Sequence, residues 1–557
     1  MAAKFRPYLL DSLKDYNTQR LAADGAAGLA VGIVALPLAM AFAMASGLKP
    51  EAGLFTAIIS GFLISALGGS RVQIGGPAGA FIVIVYGILE RYGLANLIIA
   101  TAMSGVMLFA MGFFKLGVLI RFVPVAVVIG FTNGIAVLVG LSQLKDFLGL
   151  TVTAMPGNFF GIVSTIFSHL HTVNWQAFAL ALVALAILVG WQMALPRLGQ
   201  GGRFAGKMKL IPGSILALVI TTVFVAAVNL QVDTIGSRFG GIPSTLPGFA
   251  WPAFSWETAR FLIVPATTLA LLGAIESLMC ARIADQMIGD RHNSDQELMA
   301  QGIANFVTPF FGGMPSTGTI ARTMTNVKSG ATSPIAGIVH ALVLLAIVLV
   351  AAPLAQHIPL AVLAAILMFV AWNMGQWREF VNLRHYRLPY RVTLLAVFFL
   401  TVIFDLTVAV EVGLIAACVT FIYRISSLSR SEQVSATDQP LLASAQAGRE
   451  SEVNAYRLYG AVFFGAVKLL QEIEAKLPRR ALILDFKNVI YMDSSGADTL
   501  HELMKTCQKA GVRLIVCGLA HQPLDIATRT GLLNQIAPEN RLADLAAGLE
   551  AAWTPTR

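Results

Sequence analysis

Long apolar segments recur along the chain from about residue 26 to about residue 426, and they limit its possible folds more than any other feature. A helix needs ~20 apolar residues to cross the hydrocarbon core of a bilayer. Only 12% of the 557 residues are charged and 56% are hydrophobic, whereas average soluble domains have about 25% charged residues. This composition argues against a large soluble enzyme, a disordered scaffold and a nucleic-acid-binding protein. It predicts a polytopic α-helical membrane protein.

The apolar segments number about fourteen, and some of them are too short for a full span. The third, ninth and tenth segments, at residues 77–90, 298–311 and 317–329, are interrupted by glycine, proline or small polar residues. The third and tenth segments are seven apart. Short, interrupted segments at corresponding positions predict a 7+7 inverted repeat, with a binding site between two half-helices.

Composition also divides the chain into four parts. We expect an N-terminal cytoplasmic segment at 1–25, a transmembrane domain at 26–428, a polar linker at 429–450 and a soluble domain at 451–557. Lys and Arg are concentrated in the segments predicted to lie on the same side as the N-terminus, which is typical of the cytoplasmic side. An even number of spans then places both termini in the cytoplasm. The formal net charge of +9 is explained by this topology.

The soluble part has the alternating pattern of an α/β domain. Short runs rich in apolar and β-branched residues at 481–486 and 512–517 predict strands, and residues 496–510 between them have helical spacing. With an earlier run at 456–464, they predict a compact domain of about 100 residues. The four cysteines lack CxxC spacing, so neither a disulfide framework nor a metal site is expected.

Residues 316–319 (STGT), before the tenth segment, predict a capped helix N-terminus with free N–H groups. The positive end of the helix dipole would then face the middle of the bilayer, which suits an anion. Arg322, one turn later, would add positive charge or neutralise a carboxylate. The third segment has a matching start, with Gly75 and Gly76 before Pro77. The alternative interpretation is glycine-mediated helix packing, with the arginine reaching an interface.

Glu276 lies in the middle of an otherwise apolar span. A carboxylate at that depth must be paired, hydrated or protonated, and it is a candidate functional group. Proton uptake and release is one interpretation. A structural salt bridge to Arg322 is the other.

These features together resemble the sulfate permease (SulP) family of anion transporters. The residues LPLAMAFAMASGLKPEAGLFTA (36–57) resemble its first signature, and GGPAGAF (75–81) and PSTGTIART (315–323) resemble its two half-helix sites. The residues LDFKNVIYMDSSGADTL (484–500) resemble the STAS domain. The resemblance implies an elevator mechanism, in which a core domain moves against a gate domain with the anion between the third and tenth segments.

The same resemblance implies the site residues. The implied anion contacts are Phe42, Ala78, Gly79, Ala80, Gly318, Thr319, Ile320 and Ala321, with Arg322 as charge balance. Sodium-coupled bicarbonate members have Asp on the eighth span and Thr four residues later, where this chain has Glu276 and Cys280. Because Cys is a poor ligand for Na⁺, protons are the expected coupling ion and Glu276 the expected coupling residue. No other cofactor is implied.

In the STAS-like domain, Asp493, Ser494 and Ser495 form a loop that opens a helix. Soluble relatives of this domain are phosphorylated on the second serine, and phosphate is favourable at a helix N-terminus. The alternative is an ordinary Asp/Ser helix cap. For the domain as a whole we expect dimer contact, docking of a cytoplasmic protein and regulation, without catalysis.

The sequence thus predicts a homodimeric, multi-pass transporter in a bacterial inner membrane, with no enzymatic activity and no nucleic-acid partner. The segments at 141–150, 272–281, 329–341 and 368–374 are most similar to the four-carbon dicarboxylate branch of the family. Proton-coupled symport of succinate, fumarate or aspartate is therefore the first expectation. Sulfate or bicarbonate transport is the alternative, and an anion-binding membrane sensor or an anion channel is less favoured.

Overall fold

The computed structural model is described for most of the chain. The described residues are 4–117, 124–152, 155–156, 158–198, 213–228, 230–241, 245, 248–252, 255–404, scattered positions between 412 and 426, 429–434, 452–464 and 467–554. They form two compact units, residues 1–414 and 415–557. Each unit is described separately below.

In its described residues the first unit is helical, with one short pair of strands. Its helices α1 to α16 are, in chain order, Tyr8–Ser12, Thr18–Ala45, Pro50–Leu67, Ile82–Phe113, Val125–Phe147, Phe159–Ser168, Trp175–Leu198, Gly213–Val228, Ile235–Phe239, Trp256–Ile288, Ser294–Val307, Ile320–Lys328, Ile335–Ala355, Leu360–Met374, Trp377–Val381 and Leu388–Ile403. Strands β1 and β2 are Gly75–Gly76 and Thr317–Gly318. Short 3₁₀ turns are Gly79–Phe81, Leu170–Thr172, Thr308–Phe311 and Asn382–His385.

Within the described residues, six helices are long and apolar enough to cross a membrane, and a seventh if the bent pair Leu360–Met374 and Trp377–His385 is one span. Fewer full spans are therefore seen than the fourteen segments predicted, because several apolar segments form helices of only 10–17 residues. The last predicted segment, 407–426, lies mostly outside the described residues, as does most of the predicted linker at 429–450.

The third and fourth predicted segments form the single helix α4, which is interrupted at Gly93. This residue has φ 81° and ψ 173°, a backbone conformation that is readily available to glycine alone. The interruption falls between the predicted segments at 77–90 and 95–114. The first half of α4 therefore behaves as the short half-helix that the sequence predicts.

A buried aspartate ties α2 to the start of α13. Asp24 is fully buried and accepts hydrogen bonds from the backbone N–H of Ser333 (3.1 Å), its hydroxyl (2.5 Å) and the Tyr16 hydroxyl (3.0 Å). The N–H of Thr332 also donates to it, at 2.5 Å. The carboxylate thus holds the turn that leads into α13 through the N–H groups of Thr332 and Ser333.

Replacing Asp24 with asparagine should lower the thermal stability of the purified protein. The asparagine amide keeps one acceptor oxygen, but its NH₂ group would face the N–H and hydroxyl groups that donate to Asp24. Each buried group left without a partner lowers the free energy of unfolding by about 1–3 kcal/mol. Unfolding followed in detergent would measure this loss. Asp15→Asn is the matched control, because Asp15 is exposed. Equal unfolding temperatures for the two variants would contradict this role.

The second unit is a five-stranded sheet with helices on both faces. Its strands β3 to β7 are Arg430–Gln433, Val453–Val462, Ala481–Met492, Arg513–Cys517 and Arg541–Leu542, and they lie in sequence order in the sheet. Helices α17 to α21 are Val467–Glu474, Ser494–Lys509, His521–Arg529, Leu532–Gln535 and Leu545–Trp553. Strand β3 pairs antiparallel to β4, and the other pairs are parallel.

The predicted βαβ unit is confirmed, because β5 pairs with β6 in parallel and α18 connects them. Side chains on β5 alternate between two cores, as the pleat of a strand requires. Leu482 and Leu484 pack with Leu500 of α18, whereas Ile483 packs with Leu549 of α21. Both faces of the sheet are therefore covered.

Candidate functional site

Two short glycine-containing strands, far apart in the chain, pair at the centre of the first unit. Gly75 is paired with Gly318 and Gly76 with Thr317 in an antiparallel arrangement. A helical segment begins just after each strand, at Gly79 for the turn that leads into α4 and at Ile320 for α12. The strand pair therefore brings the two predicted half-helix starts into one site.

The strand pair leaves no room for side chains at its glycines. A Cβ atom on Gly318 would overlap the side chain of Gln73, which is buried and donates a hydrogen bond to the Ser277 hydroxyl at 2.9 Å. A Cβ atom on Gly76 would overlap Nη1 of Arg322, and Gly76 has φ 155°. The close approach of β1 to β2 therefore depends on glycine.

Replacing Gly318 with alanine should slow anion transport by at least about tenfold, since small displacements of binding groups are costly. The new Cβ would push Gln73 away from Ser277 and separate β1 from β2. Exchange of labelled anion in proteoliposomes would measure the effect. Gly87→Ala is the matched control, because Gly87 has open space around its Cβ position. Unchanged exchange in the Gly318 variant would show that this approach is not needed.

The predicted anion contacts differ in how their backbone groups are used. The N–H of Thr319 donates to the carbonyl oxygen of Ile74 at 2.8 Å, and its hydroxyl donates to the same oxygen at 2.9 Å. The first backbone hydrogen bond of α12 runs from the N–H of Thr323 to the carbonyl oxygen of Thr319, at 2.9 Å. The N–H groups of Ile320 and Ala321 precede that bond, and helix geometry gives them no intrahelical acceptor.

The other half-helix start is lined by Phe42 of α2. A Cβ atom on Gly79 would lie 3.4 Å from Cε1 of Phe42, so the ring packs on this turn. Ala78 has an extended backbone, and its carbonyl accepts from the N–H of Phe81 at 3.1 Å. The N–H groups of Gly79 and Ala80 therefore precede the first hydrogen bond of this turn, and they have no acceptor within it.

Accessibility separates the predicted contacts into two sets. Gly79, Ile320 and Ala321 are half-buried or exposed, whereas Phe42, Ala78, Ala80, Gly318 and Thr319 are buried. The structure thus brings all nine predicted residues to the two half-helix starts. In the less buried set, helix geometry leaves the backbone N–H groups of Gly79, Ile320 and Ala321 without an intrahelical acceptor.

Arg322 is a buried cation in the first turn of α12. Arg322 is only 1% exposed, and Nη1 and Nη2 of its side chain have no hydrogen-bond partner among the described residues. Its guanidinium lies beside Gly76 of β1. His340, which is also buried, interacts with it electrostatically.

The electrostatics at this point are unusual, because positive charge accumulates without an acidic partner. A guanidinium close to a helix N-terminus is opposed by the helix dipole. A buried, unpaired charge costs several kcal/mol. The described residues include no ion pair to Arg322. The arrangement therefore has the charge and the N–H donors that an anion requires.

Glu276 lies on the face of α10 that contacts this site. Gly273, three residues earlier, accepts a hydrogen bond from the Thr317 hydroxyl at 3.0 Å. Cys280, four residues later, is 3.3 Å from the Thr323 hydroxyl. Glu276 is half-buried, and among the described residues it forms no ion pair, either with Arg322 or with another cation. The salt-bridge interpretation of this residue therefore gains no support from the geometry.

Sequence reasoning missed Glu297, a fully buried carboxylate at the start of α11. It accepts hydrogen bonds from the N–H groups of Gly69 (2.9 Å) and Ser70 (3.2 Å) and from Gln301 Nε2 (3.0 Å). Ser277 of α10 lies 3.5 Å away and links it to Gln73. Glu297 thus fixes the turn that leads into β1. In the sequence it stands in a polar stretch, HNSDQE, which resembles an ordinary loop.

In the second unit, the predicted loop opens helix α18. Asp493 is the N-cap residue, and its carboxylate accepts from the N–H of Gly496 at 2.8 Å. Ser494 is exposed and Ser495 is half-buried.

Burial raises the pKa of Cys507 to about 11 and that of Cys517 to about 12, so both thiols of the second unit stay protonated at neutral pH.

Comparison with known proteins identifies the family. The profile of the sulfate permease family matches residues 21–396, more than half of the chain. The chain belongs to the sulfate permease family. A STAS domain matches residues 445–545. As a member of this family it is a multi-pass membrane protein and a secondary anion transporter, and it is not an enzyme.

Two curated relatives match this chain over almost their full length. YvdB of Bacillus subtilis (strain 168), provisionally named a sulfate transporter, is 42% identical over 534 residues, covering 95% of this chain and 97% of YvdB. The bicarbonate transporter BicA of Picosynechococcus sp. (strain ATCC 27264 / PCC 7002 / PR-6) is 31% identical over 535 residues, covering 92% of each chain.

Two solved structures share the fold of this chain. The overall structure of SLC26A9 superposes with a TM-score of 0.86 at 19% identity, covering 98% of this chain and 92% of that chain. The transmembrane domain of a cyanobacterial BicA superposes with a TM-score of 0.61 at 30% identity, covering 72% of this chain and 98% of that chain. The SLC26A9 similarity concerns the fold alone.

Proposed function

We propose that this transporter carries a small inorganic oxyanion, sulfate or bicarbonate, bound between the two half-helix starts and coupled to protons. The single observation that carries the proposal is the buried guanidinium of Arg322 beside the paired strands, since Nη1 and Nη2 have no hydrogen-bond partner in the part of the chain that the structure describes. The full-length relatives described above are named for sulfate and bicarbonate. Their names favour these substrates over the four-carbon dicarboxylates that the sequence segments first suggest.

Binding at this site is assigned mainly to the backbone. The N–H groups of Gly79, Ile320 and Ala321 donate to the anion, and Arg322 supplies the compensating charge. Phe42 forms the apolar wall over Gly79. Gly318 and Thr319 act indirectly, because Gly318 permits the strand pairing and the Thr319 N–H is bonded to Ile74. Few side-chain donors are involved, which suits anions of compact shape.

Coupling is assigned to Glu276. It lies on the face of α10 between residues that contact β2 and α12, and the described residues give it no ion-pair partner. A half-buried carboxylate in a span is stable when protonated, and it ionises when water or a cation reaches it. Movement of the site relative to solvent would therefore change its protonation together with anion occupancy.

We also propose the wider architecture that the sequence predicts. Fourteen segments in a 7+7 inverted repeat, divided into a core and a gate domain, would move by an elevator mechanism. The pairing of β1 with β2 supports this arrangement, since it joins elements from the third and tenth predicted segments. We further assign the protein to the bacterial inner membrane, as a homodimer with cytoplasmic termini. Its STAS domain regulates transport or docks a cytoplasmic protein.

The substrate is tested by counterflow in proteoliposomes loaded with unlabelled sulfate, bicarbonate or succinate, with the matching labelled anion outside. We expect saturable exchange of sulfate or bicarbonate and weak exchange of succinate. Exchange of succinate alone would restore the dicarboxylate assignment. Anion binding without exchange would indicate a membrane sensor, and non-saturable flux would indicate a channel.

A further inference from the structure

A cavity of about 440 Å³ lies between the end of α2, the first half of α4, the end of α5 and helix α9. The predicted anion contacts at the half-helix starts do not line it. Its polar lining comes from Tyr86, Ser142, Gln143, Lys145 and Arg238, together with Glu90 and Asp146. A water molecule takes about 30 Å³ of liquid volume, so the cavity has room for a small ion with several waters.

Lys145 is the charged residue that is hardest to explain in this cavity. It stands in the last turn of α5 and is only 8% exposed. Among the described residues, no carboxylate lies within 4.0 Å of its ammonium group and no hydrogen bond from Nζ is formed. A lysine near a helix end ordinarily extends its ammonium group to solvent. Lys145 instead keeps its charge inside the cavity wall.

The charged groups around Lys145 do not neutralise it. Arg238, Asp146 and Asp233 act on it electrostatically. Asp146 is already bonded to Arg238, with 2.6 Å between its Oδ1 and Nη1 of the arginine. Asp233 is exposed, and so is Glu90 at the rim of the cavity, so both of these charges are screened by solvent. One buried positive charge is therefore left over.

We propose that this cavity is an outer anion-binding site, in which Lys145 supplies the charge for a small oxyanion or carboxylate. A neutral donor stands beside it: Nε2 of the buried Gln143 donates one N–H to the Ser142 hydroxyl at 3.0 Å, which leaves its second N–H for the anion. The proposal rests on the proposed function, since the bound anion is the transported one. With the N-terminus in the cytoplasm, the fifth predicted apolar segment (121–142) ends on the outer side of the membrane, and Lys145 follows it directly.

The geometry also relates this outer site to the central one. A smaller cavity, of about 50 Å³, shares Met44, Gln143, Asp146, Arg238 and Phe239 with the first cavity. It extends to Ala41, the residue before Phe42. The Arg238–Asp146 ion pair therefore lines both cavities. An anion held by Lys145 competes with Asp146 for Arg238, which makes this ion pair the inner boundary of the outer site.

The first test is transport by the full-length protein in oriented proteoliposomes, using whichever of labelled sulfate, bicarbonate or succinate the unaltered protein exchanges. Lys145→Gln should raise the apparent KM for external anion at least about tenfold. Lys145→Arg, which keeps the charge, should restore most of the affinity. The apparent KM for internal anion should stay within about twofold of the unaltered value. Lys49→Gln is the control, because Lys49 is largely exposed.

An equal rise in KM on both sides of the membrane, or no rise on the outer side, would overturn the proposal. Lys145 would then act only on the carbonyl groups at the end of α5, as a basic residue in a last helical turn can. If Lys145→Gln does not fold, Lys145→Arg still tests the proposal, because arginine should leave the affinity for external anion nearly unchanged.

A second measurement does not depend on transport. A Ser142→Cys variant, made in a Cys418→Ser background, is treated from outside with a membrane-impermeant anionic thiol reagent. Sulfate should slow the modification, and adding Lys145→Gln should remove this protection. Modification that sulfate does not slow would refute the outer site. Protection without exchange of any tested anion would refute the proposed function while retaining this site.

Discussion

Replacing Arg322 with glutamine is expected to remove high-affinity anion binding while leaving the protein folded. Truncating one member of a buried charge pair costs about 2–5 kcal/mol, which corresponds to about 30-fold to several-thousand-fold in affinity. The ligand-free protein should keep or gain thermal stability, because its guanidinium is buried without a partner among the described residues. Sulfate binding and unfolding in detergent would measure the two effects separately.

The combination of lost binding and unimpaired stability distinguishes this role from a structural one. If Arg322 formed a salt bridge, its removal would leave a buried carboxylate unpaired and destabilise the protein by about 3–5 kcal/mol. Arg282→Gln is the matched control, because Arg282 is exposed on α10. A folded Arg322→Gln protein with unchanged sulfate affinity would contradict the assignment of this residue.

Replacing Glu276 with glutamine is expected to abolish uptake driven by a proton gradient and to preserve exchange of anion for anion. Glutamine has nearly the shape of a protonated glutamate but cannot release a proton. The anion contacts at Gly79, Ile320 and Ala321 would remain. The two activities are separated by measuring uptake with an inward pH gradient and counterflow without one.

Glu257→Gln is the control for this experiment, since Glu257 is exposed in the first turn of the same helix. Retained gradient-driven uptake in the Glu276 variant would place coupling elsewhere. Loss of both activities together with a lower yield of folded protein would point to a structural role for Glu276.

The sequence predicts those parts of the fold that depend on local pattern. Apolar segments and the βαβ unit of the second domain follow from composition and spacing. The half-helix starts at Gly79 and Ile320 follow from glycine, proline and small polar residues near them. In each case the signal lies within about twenty residues, the length over which periodicity acts.

Parts of the site that depend on long-range contacts are not predictable in this way. Thr319 looks like an anion donor in sequence, yet its N–H is bonded to Ile74 from the other half of the chain. Glu297 and Asp24 resemble surface residues but are fully buried, because backbone N–H groups of distant segments surround them. A pattern indicates that such residues are polar, but it does not indicate which partner satisfies them.

The central and outer sites share one feature, which is a buried cation. Arg322 and Lys145 are both more than nine-tenths buried, and neither has a carboxylate partner among the described residues. Both lie where the chain supplies further hydrogen-bond donors. At either site the negative charge of the anion would be balanced by a cation that is already there. The protein would therefore need little reorganisation when the anion moves between them.

Concentrative uptake of labelled sulfate or bicarbonate into proteoliposomes tests the central claim most directly. With an inward proton gradient, we expect labelled anion to rise inside above both its external concentration and the level in protein-free liposomes, where CO2 diffusion alone carries bicarbonate, and this excess should disappear when an ionophore dissipates the gradient. Saturable uptake that never exceeds the external concentration, with or without the gradient, would contradict a proton-coupled transporter of these anions.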